Sequence, residues 1–596
     1  MHPARKKLAL LRAAMKQKGI DVYIIPGTDP HLGEYIPEHW RIVQWLTGFT
    51  GSAATIVITS SFAGLWTDSR YFSQAEQQLE GSGVRLMKIS VPPYPSFTDW
   101  LVMKMRKDSL IAFDGRLFSV SMFRRLKEKL KSQKIVINTD VDLIGDIWEN
   151  RPPMPDSVAF EHAIGFSGED RLQKLARVRE EMQRTGTDRC LLASPDDIMW
   201  LLNIRANDIA YSPLLMSFAI VGMDQVILFT EESKIPFRLA TEFDKTGIVV
   251  LAYDEILSVL SSLPARSSIL IDPSNTSTTL YYSIPERTVI IEGRTIPSVF
   301  KAVRNQTERK NLEEVMLRDG AALSKFLYWL ENTIPVNSIS EGRASEKLLE
   351  FRLQQTNCTG ESFPTIMAWN EHSALPHYTP DQRTDTLIGP EGVLLVDSGG
   401  QYLDGTTDIT RCIALGKPTL QQKKDFTLAL KGTIALATIR FPYGTKGYQL
   451  DILARRALWQ NGLNYGHGTG HGVGSFLNVH EGPQSISPSA DGSGNVVLEP
   501  GMLLSDEPAI YRVGEYGFRT ENLILVSEDL ENTYGHFLNF LTMSLCYIDT
   551  LLIEKELLDR EELNWLNNYQ ERVYTHISPL LDENEKLWLR KKTLAL

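Results

Sequence analysis

The chain has 596 residues, 43% of them apolar and 23% charged, with a net charge of −11. That length exceeds what one hydrophobic core supports, so about two to four domains are expected. An acidic balance argues against a general nucleic-acid binder, and four scattered cysteines against a disulfide scaffold or a paired-thiolate metal site. Cys190, Cys358, Cys412 and Cys546 are expected to be reduced and mostly packed.

The start, MHPARKKLALLRAAMKQKG, is basic and could be read as a transit peptide. It runs directly into the strand-like DVYIIP, so an ordinary first helix is the reading adopted. No apolar run reaches the about 18 residues of a membrane span. The chain is expected to be cytoplasmic, with no membrane partner. Strands are expected around FTGSAATIVIT and AGLWTDSRYF, followed by helical segments ending near Trp148. The proline-rich Asn150–Ser157 reads as a linker.

From about residue 158 the order repeats. LQKLARVREEMQRTGTDRCLLASPDD follows helix into strand into acidic turn, and SFAIVGMDQVILFT parallels AATIVITSSFAGLWT. This pattern suggests a diverged duplication of an α/β domain. Near residue 305 the character changes. Leu312, Val315, Met316, Leu323, Phe326, Leu327 and Leu330 follow helical spacing, with Asn305 or Thr307 as cap. A second helix is expected from Ser338, with Glu341 completing a capping box, toward Gln355. The tail, ELLDREELNWLNNYQERVYTHISPLL, reads as charged helices packing on the domain or a partner.

The chemistry is expected after residue 305. Tyr465–Pro483, YGHGTGHGVGSFLNVHEGP, carries three histidines and six glycines. Such glycine density marks sharp turns or close backbone approach. Five of the eleven histidines, His372, His377, His467, His471 and His480, fall between residues 372 and 480. In GVLLVDSGGQYLDGTTDITRCIAL, VLLVD and TDITRCIAL read as strands, with Asp397 ending the first and Asp408 inside the second. Glu507 follows an apolar run in LEPGMLLSDEP, and Glu521 leads a strand in YGFRTENLILV. Carboxylates in such apolar settings are costly without a partner. Four of them with an imidazole suit paired Mn²⁺, Co²⁺ or Zn²⁺ better than a structural zinc. Taken singly, each acid is more often a turn or cap residue; their joint order in one domain is what points to a site.

That order, DSGGQYLDGTTDITR, HGTGHGVGSFLNVHEGP, SDEP, then RTEN, resembles the pita-bread metallopeptidases. Within them it is most similar to the Xaa-Pro aminopeptidases in their long three-domain cytosolic form. TDSRYF near residue 70 and the two leading α/β domains extend the match more weakly. The resemblance implies creatinase-like α/β domains over residues 1–155 and 156–303, then a pita-bread α+β catalytic domain with a helical extension over 304–596. It implies two metal ions, with Mn²⁺ the first choice, Asp397 on the first, His471 and Glu507 on the second, and Asp408 and Glu521 bridging. His377 (in LPHYTP), His467 and His480 match substrate-contacting histidines, and Arg519 a supporting, substrate-side arginine. The implied reaction is removal of the N-terminal residue from peptides with proline second. A water shared by the metals attacks the bond, Glu507 shuttles the proton, and His377 or His480 steadies the oxyanion. A homodimer is implied. Prolidase, methionine aminopeptidase and a metal-free binding protein of the same fold are the competing readings.

Overall fold

The computed structural model describes residues 2–334, 336–381 and 383–596. The chain divides into two compact units. The first runs to Glu161 and includes Glu169–Pro297; the second comprises His162–Gly168 and Ser298–Leu596.

The first unit opens with helix Pro3–Gln17, which buries Leu8, Leu11 and Met15 on one face, and passes into strand Val22–Pro26. That strand joins a six-stranded sheet in the order Arg85–Lys88, Ala63–Thr67, Thr55–Thr59, Val22–Pro26, Leu110–Ala112, Val136–Asn138. A second six-stranded sheet has the order Ile248–Leu251, Val226–Phe229, Phe218–Gly222, Arg189–Leu192, Ser268–Ile271, Val289–Glu292. The two agree strand for strand in sense: two antiparallel pairings at the centre, parallel pairings outside. The duplication suggested by the sequence is thus repeated in topology. Each sheet has its own core, one around Val22, Trp66 and Phe113, the other around Leu191, Phe218 and Ile269. Apolar β-branched residues fill the central strands because both faces are covered.

The second unit begins with the 28-residue helix Gln306–Thr333. Asn305 caps it in a reciprocal box with Glu308, and the seven apolar positions read from the sequence are all buried. The next helix is Glu341–Leu353, capped by Ser340. The expected start at Ser338 and the capping role of Glu341 are therefore corrected: a carboxylate at the first helical position points away from the cap, into the core. A three-stranded sheet, Ile366–Trp369, Gly392–Ser398 and Ile409–Leu415, packs beside a four-stranded one that contains Leu503–Asp506 and Asn522–Asn532. Hairpin Ala509–Arg512/Tyr516–Arg519 lies between their sequences. Helix Arg560–Ile577 closes the core with Leu566, Tyr569, Val573 and Ile577. Among the described residues no helix is long and apolar enough to cross a membrane. Cys190, Cys412 and Cys546 are buried, Cys358 is partly so, and none forms a disulfide.

Candidate metal centre

Strands Gly392–Ser398 and Ile409–Leu415 are antiparallel, with Asp397 opposite Thr410 and the ladder ending at Ser398–Ile409. Asp408 thus sits one residue beyond the strand, not inside it as expected. Its neighbour Thr407 directs its backbone to Gly400 and Ser362, which ends the pairing there. Side chains two apart share a face, so Asp408 and Thr410 project with Asp397 toward one side. Glu521 arrives from the other sheet: its N–H donates to Thr410 O at 3.2 Å and its carboxylate accepts from Thr410 Oγ1 at 2.7 Å.

The histidine loop reaches the same place by close backbone contact. The Glu507 N–H donates to Thr469 O at 2.8 Å, and the His471 N–H to Ser505 Oγ at 2.9 Å. A Cβ on Gly470 would lie 1.9 Å from Ser505 O, and one on Gly472 2.1 Å from Glu481 O. No side chain is compatible with that approach, which accounts for glycine at these two positions.

Three ligand groups result, each with atoms mutually within 4.8 Å: Asp397–Asp408–Glu521, His471–Glu507–Glu521 and Asp408–His471–His480. Glu521, Asp408 and His471 each belong to two groups. His480 stands at ligand-like range here, its ring centroid 4.3 Å from that of His471. His471 Nδ1 lies 3.0 Å from Gly472 O, so that nitrogen carries the proton and Nε2 faces Asp408 at 3.5 Å and Glu507 at 3.7 Å. A ring fixed this way offers its lone pair to an ion.

The electrostatics call for cations. Burial raises the Asp397 carboxyl above its usual range, Arg519 pulls it down and Asp408 pushes it up again. Glu521 is raised well above normal by burial and then by Asp408, Glu507 and Asp397. Glu507 is raised by burial, eased by His471 and Arg519, and raised by Asp408 and Asp397. For His471 burial lowers the affinity for a proton, but Asp408 and Glu507 outweigh it and bring the pKa up to about 9. Asp397 Oδ1 is fully buried and has no hydrogen-bond partner among the described residues. Such an orphaned carboxylate oxygen among like charges is costly unless it binds an ion. Oxygen donors with one imidazole, sharing two carboxylates, fit a pair of divalent cations.

Around the donors, Arg519 is buried at the end of its hairpin strand. It pairs with Asp397 through Nη2 and donates to Tyr511 Oη at 2.6 Å and Thr410 Oγ1 at 3.1 Å. Tyr511 Oη lies 2.9 Å from His467 Nε2, while His467 Nδ1 lies 2.7 Å from Gly468 O. His377 is half-buried in the turn after the short helix Asn370–Ala374, beside Pro376, whose carbonyl accepts from Arg519 at 3.5 Å. His372 is not part of this centre; it lies against Glu341. Tyr511 and Thr410 were not singled out from the sequence. Each joins the site only through strand register, which no local motif announces.

Residues 310–528 match the model of metallopeptidase family M24, and 536–596 its C-terminal region. Residues 7–143 and 150–308 match creatinase/prolidase N-terminal domain models. The chain is 37% identical, over 99% of its length, to Aminopeptidase P2 of Arabidopsis thaliana, covering 88% of that protein. It is equally similar to Xaa-Pro aminopeptidase 1 of Dictyostelium discoideum, 37% over 99% of this chain and 96% of that one. A solved X-prolyl aminopeptidase from Caenorhabditis elegans, described as a cytosolic enzyme with a di-nuclear active site, has a TM-score of 0.95 at 33% identity and covers all of both chains. Fold and donor set together define a metallopeptidase with creatinase-like α/β folds preceding a pita-bread catalytic domain. The chain belongs to metallopeptidase family M24.

Proposed function

We propose that this chain is an aminopeptidase that removes the N-terminal residue from peptides with proline at the second position. The observation that carries it is the convergence of Asp397, Asp408, His471, Glu507 and Glu521, with Asp397 Oδ1 buried and unpartnered. The names of relatives matching over the whole chain supply the substrate class. The matched family regions are consistent with divisions near residues 155 and 303.

In this reading Asp397, Asp408 and Glu521 would hold one divalent ion, and His471, Glu507, Glu521 and Asp408 a second. Mn²⁺ suits the oxygen-rich donors best, with Co²⁺ and Zn²⁺ as substitutes. Bound there, the ions supply Lewis acidity that lowers the pKa of water and polarises the scissile carbonyl. Glu507 takes the proton of the attacking water and delivers it to the departing proline nitrogen as the C–N bond breaks. His377 or His480 donates to the developing oxyanion, and His467 positions the peptide through its link to Tyr511. Arg519 directs its donors to Asp397, Tyr511, Thr410 and Pro376, so it supports the ligand set from the substrate side. An Xaa-Pro bond has no N–H to offer, so recognition falls on the ring and flanking carbonyls. The working form is read as a cytoplasmic homodimer without nucleic-acid or membrane partners.

The test is hydrolysis of Xaa-Pro peptides of two, three and five residues, with and without Mn²⁺. Release of the first residue from the longer peptides, and little from Ala-second controls, is expected. Cleavage of the dipeptide alone would favour prolidase. Equal rates on proline and alanine peptides would remove the proline assignment.

A further inference from the structure

Glu341 is fully buried, and four donors surround its carboxylate. The Trp369 N–H donates to Oε1 at 2.7 Å, and the Tyr378 hydroxyl to Oε2 at 2.7 Å. His372 Nδ1 lies 2.9 and 3.0 Å from the two oxygens, and the Thr386 N–H 3.4 Å from Oε2. Trp369, His372 and Tyr378 belong to the strand Ile366–Trp369, the short helix Asn370–Ala374 and the turn that follows it, while Thr386 lies further along the chain. The His372 and Tyr378 rings stack at 4.4 Å, 23° apart. The hydrogen bond to Glu341 raises the His372 pKa above the ordinary histidine value, against the effect of burial.

The same segment is anchored at its other side. The Gly517 N–H donates to Ser373 Oγ at 2.7 Å, and a Cβ on Gly517 would lie 2.0 Å from Ser373 O. Arg519 reaches Pro376 O at 3.5 Å. His377 therefore stands between two tethered neighbours. Pro376 is bonded to the arginine that holds Asp397, and Tyr378 to a buried carboxylate on a different helix. The backbone on either side of His377 is thereby held in place.

We propose that Glu341 is a positioning residue for catalysis: with His372 and Tyr378 it clamps the turn that presents His377 to the substrate. The inference rests on the reading of His377 as a substrate contact. A carboxylate suits the role because it offers only acceptors. In Glu341→Gln the amide nitrogen would face at least one donor and break the cluster.

The experiment is a double-mutant cycle on a Xaa-Pro tripeptide with Mn²⁺-loaded full-length protein. The variants are Glu341→Gln, Tyr378→Phe, His377→Ala, and each of the first two combined with the third. Tyr378→Phe removes one hydroxyl and keeps the ring, so it provides the comparison if Glu341→Gln does not fold. Metal content is measured alongside. Tyr378→Phe is expected to retain its metals and lower kcat/KM about 10-fold, mainly through kcat, in the range that sub-ångström misplacement produces. In the His377→Ala background it should cost almost nothing more, since the group being positioned is gone. Equal losses in both backgrounds, loss of metal, or unchanged kcat/KM in Tyr378→Phe would overturn the proposal. If His377→Ala itself turns over normally, the substrate-contact reading fails first and the positioning role falls with it. A loss in His377→Ala with additive partners isolates the failure to Glu341.

Discussion

Asp397, Glu507 and Glu521 hold their protons too tightly for exposed acids, and the cause is burial beside one another. That has a sign in stability. An acid whose folded pKa lies above its unfolded value penalises the fold as pH rises from the ordinary carboxylate range upward. His471, raised to about 9, acts in the same direction: its contribution is complete below the unfolded histidine value near 6.5 and is lost as pH rises through about 9. Metal-stripped protein should therefore unfold at a lower temperature at pH 8 than at pH 5.5. The drop should be at least about 3 °C, the shift that about 1 kcal/mol produces in a domain of this size. Saturating divalent ion should flatten the dependence, because the cations take over the balancing of charge. Differential scanning calorimetry with and without a chelator measures it; a chelated protein that is more stable at pH 8 would contradict the assigned charge states.

Elements far from the histidine loop hold its partners in place. Arg411 is buried in strand Ile409–Leu415, and its Nη1 donates to the carbonyl of Glu521 at 2.6 Å. Its Nη2 donates to Tyr569 Oη at 2.7 Å, on helix Arg560–Ile577. Helix Arg560–Ile577 thus braces the backbone of Glu521, one of the proposed metal ligands. Tyr569→Phe should lower stability by about 1–2 kcal/mol, the cost of a buried hydrogen bond left unmade. It should also weaken metal affinity about 10-fold, as loss of a ligand's support does. Thermal melts and metal titration check this together; unaltered metal affinity would show that the helix only packs. These contacts also mark what the sequence could and could not reveal. Asp397, Asp408, His471, Glu507 and Glu521 could be picked out only jointly, by the order of their short motifs along one domain, and the structure brings their side chains together. Arg411 and Tyr569 meet across 158 residues, and Glu341 meets Trp369 across 28, so no local pattern marks them. The helix boundary at Ser338 failed for a related reason. Two serines precede Glu341, and only the tertiary pull of His372 and Tyr378 on that carboxylate decides which one caps.

At the scale of the molecule, nearly half the chain forms the first unit, whose paired six-stranded sheets contribute none of the five donors. The second unit brings together acids from two sheets and an imidazole from a glycine-bound loop, and its core extends from the long helix at Gln306 to the last helices. That arrangement clusters buried acids whose charge bound divalent cations would balance. Metal content per chain, measured by mass spectrometry on dialysed protein alongside Asp408→Ala, tests this most directly. Two divalent ions per wild-type chain are expected, falling to one or none in the folded variant with loss of Xaa-Pro cleavage. A wild-type chain that cleaves without bound or added metal, or an Asp408→Ala chain that keeps both ions and full activity, would contradict it.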